Sequence, residues 1–427
     1  MNKKYYKSID ETLYHEILDN GLDVYIIKKE GFANKCAYFA SKFGSFNTGD
    51  TLVYNGVETK IIGGLAHFLE HRVFDYKKGN VIDLYYKLGA DCNAFTTYDR
   101  TVYYFNCNDK FEECLELLLD FPTSFTMTKE AVENEKDIIV NELLMYKDDP
   151  DDKLFKGLMA SLYKDHPLTL DVGGEPNEVR ETTYELLKQV HESFYSPNNM
   201  VLVICGDVDV EKTMDLVKSK EFTTRELNLK KKEIDKSLSV VCESKIIEDD
   251  VNNKKLLLGY KMKPMDDLTN DDRLKVFISM DVLSSLLFSN SSEFYNMMIN
   301  EKYVSSLGVD IFDYEDAFAF IIECDLLKEE SLVIKKINER IENTLNIIND
   351  EKLDSVKRKE ISSIINGCDS INRIARNYLT YVLDGNDFFT LIDVLKSITM
   401  EDLKHAYNEY LKGSEYAYSL LRSKSND

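Results

Sequence analysis

Five residues, His67, Phe68, Leu69, Glu70 and His71, constrain this chain of 427 residues more than any others. Two imidazoles stand four apart, with a carboxylate immediately before the second. On a helix, positions i and i+4 lie one turn apart on the same face, so both rings can reach one metal ion. Glu70 flanks that face, where it can take a proton from an attacking water rather than bind the metal. A lone histidine in an apolar run is usually a packed core residue, and Ala66, Phe68 and Leu69 make this run apolar. Two imidazoles and a carboxylate buried together would, however, be three desolvated polar groups without partners. A bound metal supplies the partner.

A catalytic zinc needs a third protein ligand and keeps one position open. Residues 128–149 provide a candidate. Thr128 suits an N-cap, Glu130 suits the positive end of the first turn, and Asp149 with Pro150 ends the stretch, so a helix is predicted. Val132, Glu135, Ile139 and Glu142 fall on one continuous stripe of that helix. A charged stripe is ordinarily a solvated face. Here the Ile and Val neighbours turn it inward, which leaves two carboxylates on an apolar surface.

These segments resemble the pitrilysin/insulinase (M16) family of zinc peptidases, whose H-x-x-E-H helix inverts the commoner H-E-x-x-H. The smaller two-domain members, such as mitochondrial processing peptidase, are the most similar. Residues 64–74 (GLAHFLEHRVF) resemble the zinc helix, and residues 89–96 (GADCNAFT) the substrate-binding strand. Residues 133–142 (ENEKDIIVNE) resemble the family's second motif, and residues 197–207 (PNNMVLVICGD) the strand that closes the first domain. The resemblance implies that His67, His71 and Glu142 bind Zn2+, that Glu70 is the general base, and that Glu135 supports the site. It also implies that Asn93, Ala94 and Phe95 hold the peptide substrate by adding it to a sheet edge, where small Ala94 lets another backbone approach. Arg72 stands where the family commonly has Met or Lys, a departure expected to leave zinc binding untouched.

Composition bounds the remaining possibilities. A formal net charge of -23 argues against nucleic acid, whose phosphates would be repelled, and is compatible with cationic peptides. The N-terminus lacks an apolar targeting segment, and no stretch approaches a membrane span, so a cytoplasmic protein without membrane association is expected. Eight cysteines show neither metal-like nor disulfide-framework spacing. Cys36, Cys107, Cys205 and Cys324 sit in apolar strand-like runs and read as buried thiols of a reducing compartment.

Length calls for two or more domains. The polar stretch 221–236 is the best linker, separating a zinc-binding domain, 1–220, from a second domain, 237–427. The same order of elements recurs beyond the linker. Residues 255–261 (KLLLGYK) echo residues 36–42 (CAYFASK), a helical run at 276–287 stands where the zinc helix stood, and residues 317–323 (AFAFIIE) and 417–421 (AYSLL) read as strands. The expected fold is α+β: two homologous domains, each a mostly antiparallel sheet covered by helices, with a metal site in the first only.

One departure bears on function. Single-chain relatives supply, from the distal half, an Arg and a Tyr seven apart that hold the substrate carbonyl. The matching segment here has Lys302 and Val309. Loss of such a donor costs roughly 3 kcal/mol of transition-state stabilisation. The resemblance therefore implies a heterodimer with a homologous zinc-less subunit, with a homodimer as runner-up. It also leaves open a non-catalytic assembly subunit, and it touches a bacterial branch associated with elongation factor P modification.

Overall fold

The computed structural model describes residues 1–314 and 316–424. The first of its two compact units is built on a seven-stranded sheet. Its strands are β1 (Asn2–Tyr6), β2 (Glu11–Ile17), β3 (Asp23–Lys28), β4 (Lys35–Ser41), β5 (Asp91–Thr96), β6 (Thr101–Cys107) and β7 (Met200–Gly206). Their spatial order is β1-β2-β3-β7-β4-β6-β5. Every pairing is antiparallel except β3 with β7, where the chain returns after a long helical excursion. Strand β7 is buried at every position, as a central strand covered on both faces must be.

The second unit carries five strands: β8 (Ser244–Asp249), β9 (Lys254–Met262), β10 (Val304–Tyr314), β11 (Ala317–Leu326) and β12 (Tyr416–Ser423). They are ordered β8-β12-β9-β11-β10, with β8 and β12 parallel. This repeats β3-β7-β4-β6-β5 strand for strand, down to the single parallel pair. The two-domain α+β architecture with an internal duplication is thus present.

The principal helices are α1 (Leu65–Val73), α2 (Lys129–Lys147), α3 (Pro150–Leu162), α4 (Asn270–Phe288), α5 (Asp350–Gly367) and α6 (Ile371–Leu383). The two units are not the consecutive segments expected from the linker. The first comprises 1–145, 170–233 and 365–390; the second comprises 146–169, 234–364 and the chain from 391 on. Each unit therefore takes one helix from the other half of the sequence. In the first, α6 lies on β7 and β4, burying Ile371, Ile374, Ala375, Tyr378 and Leu379, the i, i+3, i+4, i+7, i+8 stripe of an amphipathic helix. In the second, α3 lies on β12, β8 and β9. Gly259 on β9 makes room for it, since a Cβ there would come within 2.8 Å of Leu162. A linker composition marks where the backbone is exposed. It carries no information about which sheet a distant helix will cover.

Cys36, Cys107, Cys205 and Cys324 are buried free thiols. No helix among the described residues is long and apolar enough to cross a membrane.

Candidate metal centre

Helix α1 rests on β5 and β6 of the first unit and buries Leu65, Phe68, Leu69 and Val73 in the core. Its N-terminus is fixed by close backbone packing. Gly64 caps it in the left-handed region (φ 79°), and a Cβ there would meet the Gly173 carbonyl oxygen at 2.2 Å. Helix α2 starts where expected, with the Thr128 hydroxyl accepting the Ala131 N–H at 3.1 Å. Val132, Glu135, Ile139 and Leu143 are buried along it. The inward stripe brings both glutamates to α1.

His67, His71 and Glu142 converge, their donor atoms all within 4.8 Å of one another. The two Nε2 atoms are 3.2 Å apart. Glu142 places Oε2 3.4 Å from Nε2 of His71, and Oε1 3.8 Å from Nε2 of His67. Zinc bonds of about 2.0–2.1 Å put neighbouring ligands of a tetrahedron about 3.3 Å apart, so these spacings fit the ion. The chemistry of the donors fits too. His71 presents Nδ1 to Glu135 Oε1 at 3.0 Å, and against a carboxylate that nitrogen must donate. In the neutral ring, Nε2 of His71 then points a lone pair at the carboxylate of Glu142, an arrangement that a cation stabilises. The three side chains retain 15%, 23% and 26% exposure, which leaves the approach open to a substrate.

Burial and the adjacent His71 ring hold His67 down to about 4, so it is neutral. Burial opposes the charge on His71 as well, but the carboxylates of Glu135, Glu142 and Glu70 outweigh it and raise its proton affinity. Glu135 shows the same contest with the opposite result. Burial favours its neutral form, yet His71 and Arg72 keep it ionised. Burial raises Glu70, partly offset by the Thr96 hydroxyl, which donates to its Oε2 at 2.5 Å.

Two participants were given no role on the basis of sequence. Arg72 is buried, donates from Nη1 to Glu135 Oε2 at 2.5 Å, and pairs with Asp75. This position is part of the site's scaffold: Arg72 holds the carboxylate that holds His71. An arginine inside an apolar helix face was the available signal. Asp171, whose Oδ1 accepts the Gly173 N–H at 2.8 Å, lays its negative charge beside His67. It lies a hundred residues away on a loop, with no sequence signal.

Asn93, Ala94 and Phe95 lie on β5, the edge strand of the sheet, paired with β6 on one side only among the described residues. Asn93 Oδ1 accepts the Ala94 N–H at 2.8 Å. Thr96, at the end of the strand, brings it to Glu70. The segment expected to hold Lys302 and Val309 forms the matching edge in the second unit. Lys302 occupies a left-handed turn (φ 55°), and Val309 lies within β10.

A zinc-type donor set shared by two helices, a glutamate beside it and an open sheet edge lie together on a duplicated α+β fold, an arrangement suited to a metallopeptidase. Residues 56–175 match the family model for insulinase (peptidase family M16), and residues 181–367 match the model for the peptidase M16 inactive domain. The chain belongs to family M16. It is 33% identical over 407 residues to the uncharacterized zinc protease YmfH of Bacillus subtilis, covering 95% of each chain. It superposes on an M16-like peptidase from Alicyclobacillus acidocaldarius with a TM-score of 0.90 at 25% identity, covering 97% and 99% of the two chains. The periplasmic protease PqqL of Escherichia coli shares the fold (TM-score 0.75, 17% identity) over 99% of this chain but 48% of its own.

Proposed function

We propose that this protein is a zinc metalloendopeptidase that hydrolyses peptides or unfolded segments. The observation that carries the reading is the convergence of His67, His71 and Glu142 with Glu70 held beside them by Thr96 of the edge strand. Zinc, when bound, supplies Lewis acidity that polarises a peptide carbonyl and makes water nucleophilic near neutral pH. The other roles belong to the chain. His67, His71 and Glu142 hold the ion. Glu70 takes the proton of the attacking water on a carboxylate oxygen and returns it to the leaving amine. Glu135 fixes the ring of His71 by accepting its Nδ1–H, and Arg72 fixes Glu135. The free edge of β5, at Asn93, Ala94 and Phe95, offers main-chain hydrogen bonds to an extended peptide.

The match to half of the longer PqqL chain, together with Lys302 and Val309 at the expected Arg and Tyr positions, supports a metal-bearing subunit completed by a homologous partner. A homodimer is the second arrangement. The intact donor set weighs against a purely structural subunit.

The test is metal analysis with peptide cleavage by the chain alone and with candidate homologous partners. Zinc near one per chain, with cleavage lost roughly 10²–10⁴-fold in Glu70→Gln while the zinc stays, is the expected result. Zinc-free chain after metal loading, or cleavage indifferent to Glu70, sinks the reading. Full cleavage by the chain alone removes the need for a partner.

A further inference from the structure

Side chains alternate across β5. Thr96 turns toward α1, where it meets Glu70, so Phe95 turns to the other face of the sheet, the face that α6 covers. On that face an aromatic row runs outward to the edge. Tyr38 stacks on Tyr104 at 4.8 Å with rings 5° from parallel, and Tyr104 meets Phe95 at 6.3 Å. Helix α6 is anchored over the row by the Tyr38 hydroxyl, which donates to Asn372 Oδ1 at 3.3 Å. One turn further along α6, Arg376 lays its guanidinium 5.1 Å from the centre of the Phe95 ring.

Arg376 is exposed and makes no ion pair among the described residues. In a chain with 76 acidic against 53 basic residues, an arginine left without a carboxylate has been kept clear of many candidates. Stacking on an aromatic ring occupies one face of the guanidinium and leaves its N–H fork free to bind a carboxylate bidentately. A peptide strand added to the outer edge of β5 would run about 4.8 Å away, with the side chain opposite Phe95 about 5 Å from it. That places the peptide side chain beside the fork.

We infer that Arg376 is a specificity-determining residue that reads a carboxylate on a peptide laid along β5, on the face of the strand turned away from the metal. The inference rests on the edge-strand reading of the proposed function and names its substrate class: extended peptides bearing Asp, Glu or a free C-terminus at that position. Phe95 serves as the platform that orients the arginine. Such a site also compensates for the negative charge of the protein, which otherwise repels acidic peptides.

The experiment measures binding to the full-length Glu70→Gln chain, so that the probe is not consumed. The probes are fluorescein-labelled extended peptides of about ten residues with one central Glu, their Gln twins, and each of these with a free or amidated C-terminus. The Glu peptide is expected to bind about three- to tenfold more tightly than its Gln twin, less so at high salt. Arg376→Ala should erase the difference while leaving the Gln peptide unaffected, and Arg376→Glu should favour a Lys peptide instead. A preference that follows the terminal carboxylate rather than the Glu assigns Arg376 to chain-end capture, the other source of the same group. Equal binding of all twins, or a preference that survives Arg376→Ala, overturns the inference and leaves the edge-strand reading standing. If no peptide binds, that reading falls and the inference with it, whereas zinc content and cleavage still judge the peptidase.

Discussion

At the scale of the residue, the site depends on a chain of side chains running from Arg72 through Glu135 to His71, one of the proposed zinc ligands. Arg72→Leu removes the cation and leaves Glu135 buried beside a single histidine. Breaking a buried ion pair from one side costs about 3–5 kcal/mol, and loss of a partner behind a metal ligand weakens metal affinity about 10–100-fold. Both effects are expected, measured by denaturant titration of the metal-free protein and by competition with a zinc chelator. Unchanged chelator competition would show that Glu135 holds His71 without help. The convergence of His67, His71 and Glu142 was legible because His67 and His71 are four apart and Glu135 and Glu142 share a helical stripe: local spacing dictated their faces. Arg72 was not legible, since an arginine is judged by its partner, and Glu135 is 63 residues away.

At the scale of the element, the duplication pairs the helices of the two units by their order along the chain. Helix α4 follows β9 in the chain as α1 follows β4, and it carries Asp281 and Ser285. Helix α5 occupies the place of α2 and offers Glu360, whose Oε1 accepts the Ser285 hydroxyl at 3.2 Å. Burial, then Glu360 and Asp310, raise Asp281 to about 6. A carboxyl raised in the folded state above its unfolded value near 3.9 contributes stability only while protonated. That contribution is complete below the unfolded value and is lost as pH rises through about 6. At pH 7 the ionised group therefore works against folding, and Asp281→Asn should stabilise by on the order of 2 kcal/mol. Denaturation at pH 7.5 and pH 4 checks this; a gain as large at pH 4 would show that charge is not the cause. Sequence order revealed the duplication, because strands and helices follow local periodicity. It did not by itself reveal that β5 is an edge, which only the family resemblance implied, because edges are set by which distant strand fails to pair.

At the scale of the whole molecule, the decisive feature is that helices α3 and α6 each complete the unit encoded by the other half of the sequence. Ile371, Ile374, Tyr378 and Leu379 are buried against the first sheet. At about 1.5–3 kcal/mol each, their burial rivals the ~5–15 kcal/mol stability of an entire domain. A fragment comprising 1–233 is therefore expected to expose the face of β4 and β7, bind a hydrophobic dye and melt without cooperativity. Fusing 365–390 to it through a flexible linker should restore a cooperative transition. A fragment that melts cooperatively without that segment would refute the argument. The stretch 221–236 stood out by its polar composition, but the exchange of helices was not visible, since an amphipathic stripe specifies a sheet to cover and not which one.

The exchange also sets a clock. Synthesis proceeds from the N-terminus at ~5–20 residues per second, so α6 leaves the ribosome on the order of ten seconds after β7. Through that interval the strand carrying Asn93, Ala94 and Phe95 belongs to a sheet bare on one side, and Arg376 has not yet been made. The nascent chain holds His67, His71 and Glu142 before it has a stable body to mount them on. The first unit is completed only once α6 has been made, a delay built into topology.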